Sequence, residues 1–200
     1  MSRIRLGAPA TLLVAAACVL GTYFPGAGIL GVSGGLGSLL HPWTWLTLLT
    51  WPFVHADTEH LWSNLMFFLL LSPSLENKQS WPEYLFCLFL TSVVIGLGHL
   101  VFGGNQTNLI GASGWVFMMI ILSTFTSDEP GTISVLTIIV ALMYGWREIR
   151  EAFSPNQISQ LAHALGGVCG LLFGLMGSGQ RSVARATPTP LNTIPSPPRL

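Results

Sequence analysis

The chain has 200 residues, of which only 8% are charged and 50% are hydrophobic, with a formal net charge of zero and a mean hydropathy of +0.61. Ordinary soluble domains carry about 25% charged residues, so the composition excludes that class and implies an all-α, polytopic membrane protein. No basic run interleaved with aromatics occurs, which excludes nucleic acid as a partner.

Six apolar segments follow one another, at 8–24, 60–75, 81–102, 113–126, 132–147 and 158–177. Several fall short of the ~20 residues a straight helix needs to cross the hydrocarbon core. Short spans imply connecting loops that dip into the membrane, where irregular backbone is tolerated only if protein buries it or it lines a wet cavity. The first segment follows Arg3 and Arg5, but Thr22, Tyr23, Phe24 and Pro25 make a poor small-residue cleavage site, so a retained helix is expected rather than a removed leader. Residues 25–59 are apolar yet broken by glycines and by Pro42 and Pro52. Trp43, Trp45 and Trp51 there suit the headgroup level, and the stretch reads as a long interfacial loop rather than a seventh span.

The expected domain therefore covers 1–177. Residues 178–200 are rich in Arg, Ser, Thr and Pro, read as a disordered tail. With the N-terminus inside, Arg3, Arg5, Lys78, Arg181, Arg185 and Arg199 lie in the cytoplasm, and only Arg147 and Arg150 outside. That bias puts both termini in the cytoplasm, in a membrane of the bacterial plasma-membrane type. Cys18, Cys87 and Cys169 lack any Cys-x-x-Cys spacing and read as small buried hydrophobes.

Polar side chains inside hydrocarbon are costly unless they face a partner or water, so they mark candidate functional sites. Ser113, within Gly111-Ala112-Ser113-Gly114, opens the fourth segment, and His163 lies about five residues, roughly 8 Å, into the sixth. On the expected topology both belong to the outer half of the membrane. The simplest chemistry they share is nucleophilic: the imidazole takes the hydroxyl proton as Ser113 attacks a carbonyl and returns it to the leaving group. Ala162, Gly166, Gly170, Gly174 and Ser178 recur every four residues and form a stripe that lets two helices approach closely. If the partner is the fourth helix, Ser113 and His163 can meet. His60 and Asn64, four apart, share one face of the second helix, and both can donate a hydrogen bond to a developing oxyanion. Phe117, four after Ser113, faces the same way, and its ring is expected to pack on the His163 imidazole.

Taken in order, Thr50-x-x-Phe53-x-His55, His55-x4-His60-x3-Asn64, Gly111-Ala112-Ser113-Gly114 and Ala162-His163-x2-Gly166-x3-Gly170 resemble the rhomboid intramembrane serine proteases. The resemblance implies a six-helix membrane domain with an interfacial first loop. It implies Ser113 as nucleophile and His163 as general base, and an oxyanion hole from His60, Asn64 and the Ser113 N–H. His55 would be a structural residue of the first loop, and Gly111, Gly114, Phe117, Gly166 and Gly170 supporting residues. Neither a metal nor a cofactor is implied. Two departures stand out: Leu46-Thr47 replace the Trp-Arg often found before the Thr-x-x-Phe-x-His run, and Phe117 replaces a frequent tyrosine.

A zinc site built on His55, Glu59, His60 and His163 fits poorly, since His55 and His60 are five apart and about 140° around a helix. A soluble hydrolase elbow needs Gly-x-Ser-x-Gly on a strand-to-helix turn, and Trp115 occupies the final glycine position. The remaining alternative is an inactive rhomboid-like protein that binds membrane clients. The expected function is hydrolysis of peptide bonds in or near transmembrane segments of other proteins. Those transmembrane substrates and the surrounding lipid are the expected partners; no oligomeric state is implied. Water would reach the site through a cavity between the first loop, the third (103–110) and the fifth (144–156), and the resemblance implies that substrates enter from lipid beside the second and fifth helices.

Overall fold

The computed structural model describes residues 7–103, 107–126, 132–151 and 157–186, with side chains for all but 147–151, 157–159 and 178–186. Among these residues the chain is mainly helical: α1 (Pro9–Tyr23), α2 (Pro42–Thr50), α3 (Thr58–Lys78), α4 (Trp81–Phe102), α5 (Ser113–Thr124), α6 (Val135–Glu151) and α7 (Gln157–Ala186). The six apolar segments correspond to α1 and α3 to α7. Trp81–Phe102 and Gln160–Gly177 are long and apolar enough to cross a membrane, whereas the apolar helices Pro9–Tyr23, Ser113–Thr124 and Val135–Trp146 are shorter.

Three expectations change. The first loop is not irregular throughout, since Pro42 starts α2 with its ring at a position where no helical N–H is needed. The fifth loop begins later than residue 144, because Arg147, Glu148, Arg150 and Glu151 are good helix formers and extend α6. Helix α7 likewise runs past Gly177 to Ala186, through residues assigned to the tail, with no proline before Pro188 to stop it. The N-terminal arginines, the middle of loop 3, residues 152–156 and the tail from 187 lie outside the described residues.

Helix α5 occupies the centre. Nine of its side chains, from Ser113 to Ser123, are buried, the all-round burial of a helix enclosed by others. Around it, Val14, Cys18, Leu65, Phe68, Leu88, Trp115, Val116, Met119 and Tyr144 form the main apolar core. A second cluster, including Val32, Leu48, Trp51, Ile95, Leu109 and Ala162, packs the first loop onto α4. Strands β1 (Val32–Ser33) and β2 (Asn108–Leu109) pair antiparallel and join the first loop to the third. Facing outward, Leu13, Val135, Leu142 and Met176 are all at least 70% exposed. Soluble monomers rarely expose so continuous an apolar surface, and lipid would cover it.

Candidate active site

Helices α5 and α7 meet through the small-residue stripe. A methyl group on Gly166 would overlap the Gly114 carbonyl oxygen, and one on Gly170 that of Met118. On the other side, a methyl on Gly114 would come 3.4 Å from the Ala162 carbonyl oxygen. The fourth apolar segment is thus the partner of the stripe, as expected. Ser113 adjoins this contact on α5 and His163 adjoins it on α7, and both are buried. Phe117, one turn below Ser113, stacks on the His163 imidazole with centroids 5.1 Å apart and planes 11° apart. Stacked rings on the α5 face that carries Ser113 bring the imidazole to the serine's side of the seam.

The turn before Ser113 is held by its backbone. Gly111 has φ +105°, a conformation favouring glycine, and its N–H donates to the Trp51 carbonyl at 3.1 Å. The next N–H, of Ala112, donates to His55 Nε2 at 3.2 Å. Helix α5 begins at Ser113, and its first bond runs from the Val116 N–H to the Ala112 carbonyl. The N–H groups of Ser113, Gly114 and Trp115 therefore lie outside the helical ladder, at the positive end of the helix dipole.

His60 and Asn64 converge on the same turn. A methyl on Gly111 would lie 2.6 Å from His60 Cε1, 2.8 Å from Nε2 and 3.5 Å from Asn64 Nδ2. Asp57 fixes their register, because its side chain caps α3 by accepting the His60 N–H at 2.7 Å. His60 Nδ1 accepts from the Ala56 N–H at 3.4 Å, so the neutral ring carries its proton on Nε2, the nitrogen beside Gly111. Two donors thus flank the turn that carries the Ser113 N–H.

His55 serves the scaffold. With Nε2 accepting from Ala112, its proton sits on Nδ1 and points to Thr22 Oγ1 at 3.1 Å. Both ring nitrogens are committed, leaving no lone pair for the zinc reading. Burial, reinforced by the neighbouring His60 and opposed by Asp57, pushes its pKa from 6.5 down to about 3. The ring is therefore neutral across the physiological range, as an acceptor must be.

Sequence reasoning misplaced Trp51. Instead of lying at the headgroups it is buried, with its indole donating to the Ser92 carbonyl at 3.2 Å and its own carbonyl holding Gly111. Trp43 and Trp45 are exposed. Where the Trp-Arg pair is absent, loop 1 is fastened by short bonds: Trp43 to Ile29, Trp45 to Leu39, Thr44 to Ser38 and Thr50 to Leu30, each onto a backbone carbonyl. Tyr144 of α6, unnoticed in the sequence, lies edge-on to Phe117 and His163.

A model of the Rhomboid domain matches residues 42–180, which contain His55, His60, Asn64, Ser113, Phe117, Tyr144 and His163. The chain belongs to the rhomboid family. It is 27% identical over 139 residues to rhomboid-like protein 11, chloroplastic, of Arabidopsis thaliana, a match covering 65% of this chain and 43% of that protein. Putative rhomboid protein L523 of Acanthamoeba polyphaga mimivirus is 23% identical over 125 residues, covering 60% of this chain and 68% of its own. The chain thus aligns with less than half of the plant relative. Rhomboid membership and the two long apolar helices make this a membrane protein.

Proposed function

We propose that this rhomboid is an intramembrane serine endopeptidase that cleaves transmembrane or membrane-adjacent segments of other proteins, with Ser113 as nucleophile and His163 as general base. The observation that carries the reading is the Phe117–His163 stack beside the Gly114–Gly166 contact, which faces the imidazole toward the serine helix. His163 takes the Ser113 hydroxyl proton as Oγ bonds to the scissile carbonyl carbon. The oxyanion accepts bonds from His60 Nε2–H, the Asn64 amide and the Ser113 N–H, aided by the α5 dipole. Collapse breaks the C–N bond, and the amine leaves with the imidazolium proton. Water, deprotonated by His163, then releases the acyl group from Ser113.

Six helices, α1 and α3 to α7, would cross the membrane with both termini in the cytoplasm, and α2 would lie in the interface. At 12 residues, α5 is about 18 Å long, against about 30 Å of hydrocarbon. Ser113 at its start would then sit below the outer surface, reached by water from the loop side and by substrates from lipid between α3 and α6.

The test is covalent labelling with a small fluorophosphonate, together with cleavage of a model transmembrane substrate. Ser113→Ala and His163→Ala should each abolish both in folded protein. Because the two act as a unit, the double variant should be little worse than either single one. A wild-type protein that takes no label and cuts nothing would instead favour the inactive, client-binding alternative.

A further inference from the structure

We infer that Tyr144 is a positioning residue for the His163 imidazole, so that the docking of α6 governs whether Ser113 is activated; this rests on the dyad proposed above. Phe117 covers one face of the imidazole, and a stack restrains tilt more than movement within its plane. Tyr144 stands perpendicular to both rings, at 5.9 Å and 80° to His163 and at 5.3 Å and 85° to Phe117. It crosses the edges of the stacked pair and adds restraint in the direction that a stack holds least. Its own ring is held by Phe67 of α3, at 5.0 Å and 72°.

Among its described side chains, α6 is attached along a single stripe. Thr137, Val140 and Tyr144 are buried, whereas Val135, Leu136, Ile138, Ile139, Leu142, Met143 and Trp146 are exposed. A helix held by one narrow stripe at i, i+3 and i+7 can shift without disturbing the α5–α7 seam. When it shifts, Tyr144 leaves the imidazole.

The experiment compares fluorophosphonate labelling rates, steady-state cleavage and thermal melting for the full-length protein in detergent. Tyr144→Leu should label about 10- to 100-fold more slowly, the range expected when a catalytic group is misplaced by about an ångström. Its cleavage defect should lie in kcat rather than KM. Tyr144→Phe, which keeps the ring, should restore most of the rate. Val140→Ala, one turn earlier on the same buried stripe, should also slow labelling by loosening α6, and it decides the matter if Tyr144→Leu does not fold. Wild-type labelling in folded Tyr144→Leu, or in Val140→Ala, would overturn the inference and leave the dyad standing. A Tyr144→Phe protein as slow as Tyr144→Leu would also overturn it, since the ring would not be what acts. Label that persists in Ser113→Ala would overturn the dyad and the inference together.

Discussion

His55 and Phe117 show how single side chains shape the site without touching a reacting bond. His55 accepts the Ala112 N–H only while neutral, and its pKa is about 3 when folded against 6.5 as its ordinary value. Between those values the unfolded chain binds a proton that the folded protein excludes, so stability is full above about pH 6.5 and is lost as pH falls toward 3. Melting temperature should therefore drop through this window in the wild type and drop less steeply in His55→Gln, whose side chain does not titrate. Equal slopes would show that His55 is not the group responsible. Phe117 acts by its face. A cation–π contact of about 0.5–2 kcal/mol would favour the imidazolium formed during attack, so Phe117→Leu should melt near the wild type yet turn over up to about 30-fold more slowly. Full activity in stable Phe117→Leu would show that the ring merely fills space. The Phe117–His163 contact was legible in the sequence because a four-residue step puts Phe117 under Ser113. The Trp51 to Gly111 bond was not, since nothing local marks two backbone groups 60 positions apart as partners.

At the scale of helices, the α5–α7 seam carries Ser113 on one side and His163 on the other. Gly166 and Gly170 both abut α5 carbonyl oxygens, whereas a methyl on Gly167 would meet Phe117 Cδ1 at 3.7 Å and Ile121 Cγ1 at 3.9 Å, both ordinary contacts. Gly166→Ala and Gly170→Ala should each cost about 1–3 kcal/mol of stability by forcing the backbones apart. Ser113 labelling should fall with Gly166→Ala most, because Gly114 is the residue displaced. Gly167→Ala should melt within a few degrees of the wild type, and a melting loss equal to that of Gly166→Ala would mean that close approach is not what these glycines provide. The stripe was readable because its four-residue period is a property of one helix. Helix α2 was not, because eight residues of mixed Trp, Thr and Leu after a proline carry too little periodicity to distinguish a helix from a loop. The β1–β2 seam escaped for a different reason: two-residue strands leave no alternating pattern.

Across the whole molecule, helices α1 and α3 are joined by polar contacts at both ends, and the ends have separate tasks. Near the site, Thr22 on α1 meets His55, and Tyr23 bonds Thr58. At the far end the Glu76 carboxylate accepts the Ala10 and Thr11 N–H groups at 2.9 and 2.7 Å, capping α1 from a different helix, and also accepts the Thr11 hydroxyl at 2.7 Å. With that hydrogen given to Glu76, Ser72 must donate to Thr11 and Tyr84 to Ser72, a directed chain that ties α4 to the same point. Thr11 and Thr22 lie eleven residues apart on α1, about 16 Å along its axis, so damage at the Glu76 end need not reach Ser113. Glu76→Gln replaces one accepting oxygen with an amide that faces a donor, and a buried donor left unpaired costs about 1–3 kcal/mol. The variant should melt at a clearly lower temperature, yet label Ser113 at the wild-type rate when assayed well below melting. Gly111→Ala should do the reverse in emphasis: its methyl would collide with the His60 ring at 2.6 Å, and turnover should fall by at least 10²-fold through loss of an oxyanion donor, beyond any change in melting. Should Glu76→Gln slow labelling as severely as Gly111→Ala at a temperature where both are folded, the two ends of the bundle would be one cooperative unit and not a foundation with a separate site.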